Sequence, residues 1–276
     1  MCLIALHFAP GTSVPLILVA NRDEQHSRPT APLATWRDHS TISGGRDLQA
    51  GGSWLAVHQR GRFAALTNVR DPELISTPQT PSRGQLVRDA LLADDLEAWL
   101  ELQLTGTGLA YGGFNLLVGD AQHLWHLSRH RQGMQLAAVT AGTHGLSNAT
   151  LDSPWPKLVE VRDALSRDMA EGLEPSLRLP ESRACFADTR QAPDAMLPDT
   201  GVGLELERFL SAPFIVGEDY GTRSTTRLAL VTTDSAPHFR MIEQRFGAQG
   251  IALGKSQLEI PITAEQRATL VSGVDR

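Results

Sequence analysis

Cys2 and the run Asn21-Arg22-Asp23-Glu24 are the residues of this chain best suited to covalent chemistry. A cysteine in second position is small enough for the initiator methionine to be removed by the usual processing enzyme. Removal would put a free α-amine on the residue that carries the thiol. The amine has a reference pKa of about 7.7–8.0 and the thiol about 8.5. Near neutral pH the amine is therefore partly unprotonated and can take the thiol's proton, directly or through a water, so that one residue supplies nucleophile and base. Asp23 is a candidate to orient the amine, Arg22 to favour the thiolate by its charge, and Asn68 to donate a hydrogen bond to an oxyanion. The competing reading makes Cys2 a small hydrophobe in a buried first strand and Asn21 to Glu24 a solvated turn.

Catalysis requires elements that bring these side chains together. Residues 2–8 and 14–21 are apolar and β-rich, and are joined by "APGTS", whose Pro10 and Gly11 are turn residues. A turn near Gly11 sets Cys2 opposite roughly residue 20, with a slip of one or two residues because Pro15 cannot donate to a ladder. Directly opposed Cβ atoms lie about 5 Å apart, so Asn21 to Glu24 emerge beside Cys2. Residues 53–58 and 62–68 form a second predicted hairpin about Gly61, which brings Asn68 to its open end near Ser53. Residues 113–119 and 122–128 form a third, turning at Gly119-Asp120.

Several of these strands are almost continuously apolar, which predicts sheets covered on both faces. Helices are expected between the hairpins. "SRGQLVRDALLADDLEAWLELQL" opens with Ser82 and Gln85 at capping-box spacing and carries Leu96, Trp99 and Leu100 at helical intervals. "DSPWPKLVEVRDALSRDM" offers Ser153 as N-cap and Pro154 at the first helical position, with Leu158, Val161, Leu165 and Met169 along one face. A short helix is predicted over 203–210, loop with short helix from about 170 to 200, and strands over 226–233 and 238–246. Helices that separate hairpins rather than follow each strand imply mainly antiparallel sheets. The expected fold is α+β, a four-layer αββα sandwich forming one domain over residues 1–276.

Composition bounds the function. Of 276 residues, 41% are hydrophobic and 20% charged, which is ordinary for a globular chain able to bury a sizeable core. The net charge of −6, without a lysine- or arginine-rich block, argues against a nucleic-acid partner. The longest apolar run, Val14 to Ala20, is interrupted by Pro15 and is too short to cross a bilayer, so no transmembrane segment is expected. No secretory signal is apparent. With only Cys2 and Cys185 there is no disulfide framework, and the expected location is cytoplasmic. Cys185 reads as inert in a polar loop. His123, His126 and His130 would share a helix face, but their surroundings read as strand, which sends His123 and His126 to opposite faces, so no metal is expected. His7 reads as a core histidine, and Trp54, Trp99, Trp125 and Trp155 as core. "GGRDLQAGG" lacks the strand-to-helix setting of a phosphate loop.

The blocks "MCLI", "ANRDE", "AGGSWLAV", "GRFAALTNVRDP", "SRGQLV", "GGFNLLVGD", "HGLSNATLDSPWPK" and "YGTRSTT" resemble, in order and spacing and almost end to end, the NRDE proteins, also called the transport and Golgi organisation protein 2 family. That family resembles in fold the N-terminal-nucleophile hydrolases, within them the cysteine group of penicillin V acylase and bile salt hydrolase. The resemblance implies the αββα fold. It implies a site built on Cys2 as nucleophile, Asp23 as the aspartate ending the second strand, and Asn68 and Asn148 as the two asparagines. Those hydrolases carry Arg-Asn-x-Asp where this chain has Asn21-Arg22-Asp23, so the arginine is displaced, and Arg223 in "YGTRSTT" is a candidate substitute in substrate binding.

The expected activity is hydrolysis of a non-peptide amide through an acyl-enzyme, with no cofactor and a small-molecule amide or acyl substrate of unspecified identity. The alternative is a non-catalytic carrier or trafficking factor that binds a hydrophobic ligand, lipid or haem, on the same fold. A scaffold with a vestigial site is the third possibility.

Overall fold

The computed structural model describes residues 2–74, 77, 79–172, 177–232 and 237–263. Thirteen strands are described, paired antiparallel in two sheets. The six-stranded sheet runs in the order β10 (Gly142–Leu146), β1 (Cys2–Phe8), β2 (Leu16–Gln25), β11 (Tyr220–Val231), β12 (His238–Phe246), β13 (Ala252–Pro261). The seven-stranded sheet runs in chain order: β3 (Thr30–Thr35), β4 (Ile42–Asp47), β5 (Leu55–His58), β6 (Arg62–Asn68), β7 (Phe114–Gly119), β8 (Leu124–His130) and β9 (Gly133–Ala138). All three predicted hairpins are present. The first pairs Cys2 with Arg22, two residues beyond the position expected from a turn at Gly11. Its loop is wide, closed by the Ala9 N–H donating to the Pro15 carbonyl at 2.9 Å, which moves the midpoint along the chain.

Strand alternation explains the continuous apolar runs. Ile4, Leu6, Leu16 and Leu18 pack between the sheets on Leu55, Val57, Phe63 and Leu117. The intervening Leu3, Ala5, Ile17 and Val19 pack outward on Leu158, Val161 and Leu165 of α3 (Pro156–Ala170). On the far side, Ala56, Ala64 and Leu116 are covered by Leu86 and Val87 of α1 (Gly84–Leu92) and Leu100 of α2 (Leu96–Thr105). Helix, sheet, sheet and helix are thus stacked as the αββα sandwich the sequence predicts.

The helix boundaries differ from expectation in three places. The predicted long helix is two, broken at Ala93 (ψ 127°) and restarted by Asp95, whose side chain accepts from the Ala98 N–H at 3.0 Å. Ser82 does not cap α1, which begins after Arg83. α3 begins at Pro156, because Ser153 turns back to donate its hydroxyl to the Thr150 carbonyl at 2.7 Å. Cys185 lies in α4 (Pro180–Phe186), half-buried, rather than in a loop. α5 spans Leu204–Phe209 as predicted. The strand expected from 226 starts at Tyr220, so "YGTRSTT" is its first half. Met1, residues 173–176 of the predicted loop and residue 233 of the predicted strand lie outside the described residues. Among the described residues no helix is long and apolar enough to cross a membrane.

Candidate active site

At the open end of the first hairpin the two sheets part around a pocket of about 110 Å³. Cys2, Arg22 and Asp23 reach it from β1 and β2, while Asn68 reaches it from the end of β6. Four of the sequence-predicted residues, drawn from two sheets, therefore line one cavity. Cys2 is 9% exposed, and its carbonyl accepts from the Ser147 hydroxyl at 3.3 Å. Asp23 is buried and accepts the Thr222 hydroxyl at 2.7 Å from β11. Arg22 lies with its guanidinium 4.1 Å above the centre of the Trp54 ring and donates to the Thr30 hydroxyl at 3.0 Å.

Burial dominates the electrostatics. It pushes the Cys2 thiol above its ordinary value; the amino-terminal charge and Arg22 oppose this, while Asp23 and Glu24 add to it. Arg22 thus pulls toward the thiolate, but desolvation prevails. Burial also raises Asp23, against the amino-terminal charge, Lys157, the Thr222 hydrogen bond and Arg70. Lys157 is buried on α3, its Nζ donating to the Leu210 carbonyl at 2.7 Å, and desolvation lowers it to about 8.

The other predicted residues do not line this pocket. Asn21 shares a face of β2 with Asp23 but sits two residues deeper. It is fully engaged, donating Nδ2 to the Phe186 and Pro213 carbonyls at 2.8 and 2.9 Å and accepting the Thr225 hydroxyl at 2.6 Å. Arg223 sits at a bulge in β11 and braces the turn after β2, donating to the carbonyls of Gln25 and Arg28 and to the Thr30 hydroxyl. Asn148 stands behind Asn68, donating Nδ2 to the Asn68 carbonyl at 2.8 Å, and lines a second cavity on the other side.

Sequence reading missed Arg28, Asp47, Trp54 and Arg83, all of which line the pocket. Trp54 is buried as expected, yet it also forms the wall on which Arg22 lies. Its place depends on Gly45, where a Cβ would fall 2.3 Å from the indole. A Cβ on Gly52 would fall 2.3 Å from the Gly84 backbone, so glycine there lets the start of α1 close on Ser53, whose N–H donates to the Gly84 carbonyl at 3.1 Å. That approach carries Arg83 into the pocket. The signal was present in "AGGSW" and "SRGQLV", but only as glycines without a stated partner.

The second cavity, about 700 Å³, is bounded by Arg70, Arg131, His130 and Asn148 among others. Arg70 is ion-paired with Glu207, and Arg131 with Asp71 at 2.8 Å. His126 hydrogen-bonds Asn115 Oδ1 at 3.0 Å, while His123 is exposed. Among the described residues no group of three or more His, Cys, Asp or Glu side chains is placed to hold a metal ion.

Residues 1–248 match the family described as Transport and Golgi organisation 2. The chain is 32% identical over 265 residues to the Transport and Golgi organization protein 2 homolog of Homo sapiens, covering 88% of this chain and 92% of that one. It is 30% identical, with the same coverage, to the Mus musculus homolog. Among solved structures, it resembles the N-acylethanolamine-hydrolyzing acid amidase ortholog of Caenorhabditis elegans (TM-score 0.50, 10% identity, 82% of this chain and 92% of that). It also resembles a mutant conjugated bile acid hydrolase from Clostridium perfringens (TM-score 0.50, 7% identity, 94% and 92%). At such identities the likeness concerns the fold, that of the N-terminal-nucleophile hydrolases.

Proposed function

The chain belongs to the Transport and Golgi organisation 2 family, and from that premise we propose that it is an N-terminal cysteine amidohydrolase acting on a non-peptide C–N bond. The observation that carries this reading is that Cys2, Asp23 and Asn68, from three strands of two sheets, line one cavity. The reading requires a chain that starts at Cys2. Its α-amine takes the thiol proton, and Sγ attacks the amide carbonyl carbon to give a tetrahedral intermediate. The Asn68 amide stabilises the oxyanion, and Asn148 holds Asn68 in register. Collapse breaks the C–N bond, and the ammonium returns the proton to the departing amine, leaving a thioester. Water, deprotonated by the same α-amine, then attacks the thioester and releases the carboxylic acid and the thiol. Asp23 orients the amine throughout.

The upward push of burial on the thiol supports this assignment of roles, because a thiol whose charged form is disfavoured gains from an adjacent base. The test joins intact mass with turnover of short acyl amides. Loss of Met1, a transient acyl adduct on Cys2 and no turnover in Cys2→Ala are expected. Turnover by a chain that keeps Met1 would refute the scheme.

One observation favours the carrier reading. In the larger cavity the His130 Nε2 is buried without a hydrogen-bond partner, beside Arg70 and Arg131. A haem or lipid titration abolished by His130→Ala and indifferent to Cys2→Ala would support a ligand role there; no binding would remove it.

A further inference from the structure

We propose, resting on the hydrolase reading above, that the pocket selects a small amide bearing a carboxylate close to its scissile C–N bond, and that Arg83 binds that carboxylate. Three guanidiniums line the pocket, and they are not equivalent. Arg28 donates Nε and Nη2 to Asp47 Oδ2 at 3.0 and 2.6 Å. Arg22 is stacked on Trp54, bonded to Thr30, and 4.0 Å from Glu24. Arg83 gives one hydrogen bond, from Nη1 to the Gly113 carbonyl at 3.0 Å, and has no carboxylate within ion-pairing distance among the described residues. A guanidinium presents five N–H donors in a planar fork that fits a carboxylate with two parallel bonds.

The acids of the pocket are already engaged. Asp47 accepts from Arg28 and from the Gln49 and Ala50 N–H groups at 2.9 and 3.3 Å. Glu24 accepts from the Gln25 N–H at 2.9 Å and lies 4.0 and 3.9 Å from Arg22 and Arg28. Asp23 accepts from Thr222. Glu24 acts on Arg83 only through space, without a direct ion pair, so an incoming anion meets a guanidinium whose remaining N–H donors no carboxylate of the pocket occupies.

Lining and size favour a small, polar ligand. At about 110 Å³ the pocket is well below the roughly 300–1,000 Å³ of cavities that enclose drug-sized ligands. Among the described residues, its apolar lining is Cys2, Leu66 and the Trp54 ring that Arg22 covers. A long acyl chain finds little apolar wall among these side chains. A short N-acylated amino acid offers the amide and the carboxylate together.

The test is isothermal titration of the full-length Cys2→Ala chain with N-acetylglycine, its neutral counterpart N-acetylglycinamide, and N-dodecanoylglycine. N-acetylglycine is expected to bind about tenfold or more tightly than the neutral amide. Arg83→Gln should erase that ratio, Arg83→Lys should restore part of it, and the dodecanoyl chain should add no affinity. Equal affinity for acid and amide, no binding of N-acetylglycine, or an unchanged ratio in Arg83→Gln would overturn the proposal. The ratio in the Arg83-containing chain decides the matter even if Arg83→Gln unsettles α1. Failure of the hydrolase reading is separate: carboxylate-dependent binding without turnover by the Cys2 enzyme would sink the chemistry and leave the selectivity. Turnover of neutral amides, indifferent to Arg83, would do the reverse.

Discussion

Asn148 donates its side-chain amide to the main-chain carbonyl of Asn68 across 2.8 Å, and so fastens the exit of β10, in one sheet, to the end of β6, in the other. The tie is reinforced on both sides. The Arg70 N–H donates to the Asn148 carbonyl at 2.8 Å, and the Thr67 hydroxyl donates to the Ser147 carbonyl. The Asn148 Oδ1 shares the single Ser147 hydroxyl proton with the Cys2 carbonyl, each at 3.3 Å. Asn68 is therefore held at the pocket by the sheet that also carries Cys2.

Asn148→Asp tests this bracing. A carboxylate cannot donate to the Asn68 carbonyl and would face it oxygen to oxygen. The expected cost is about 1–3 kcal/mol in urea unfolding, with a fall in amide turnover but little change in the rate at which an electrophile labels Cys2. Unchanged stability together with unchanged turnover would show that the tie holds nothing the site needs.

The buried thiol gives the chain a characteristic pH dependence. Because burial raises the Cys2 thiol above its ordinary value, the reactive thiolate accumulates only as pH rises past that value. In a chain with its amino group blocked, alkylation by iodoacetamide should keep climbing beyond pH about 9. In a chain that starts at Cys2, the amine adds a rise centred near its own pKa of about 8. A rate already flat at pH 7 in both forms would mean a preformed thiolate, and the α-amine would lose its role as base.

How far the site was legible follows from the same residues. Cys2, Arg22, Asp23 and Asn68 were accessible because each lies in or at the end of a predicted hairpin strand, where pairing arithmetic fixes neighbours to within two residues. Asn21 could not be separated from Asp23 by that arithmetic, since they share a face. What separates them is contact with Phe186 and Pro213, more than 160 positions away. Arg28, Asp47 and Arg83 come from a turn, a strand end and a helix start. Their convergence depends on how the sheets stack and on the close approach at Gly52, which no local pattern encodes. The helix break at Ala93 and the helix start at Pro156 were missed for a related reason. Ser82 and Ser153 have the right side chains for capping, but Asp95 and the Ser153–Thr150 turn take that part instead.

Lys157 offers a test of the burial that dominates this region. Lys157 is 4% exposed, and desolvation lowers its amine to about 8, with Asp23 pulling the other way. In the unfolded chain a lysine titrates near 10.4. Between about pH 8 and 10.4 the unfolded chain therefore holds a proton that the folded chain has released, so folding stability rises with pH across that window. Below about pH 8 the burial penalty is present in full. The shift corresponds to at most about 3 kcal/mol. Lys157→Met removes the charge while keeping a flexible apolar stem, at the loss of one donor to the Leu210 carbonyl. Groups far from Lys157 titrate alike in both chains, and repeating the comparison in an Asp23→Asn background removes the carboxylate that Lys157 perturbs, so the difference between the unfolding free energies at pH 7 and pH 10 reports mainly on this amine. The native chain should gain on the variant as pH rises, by about 1–3 kcal/mol. Parallel profiles would mean that the amine titrates alike in the folded and unfolded chains, and that Lys157 is solvated better than its packing implies.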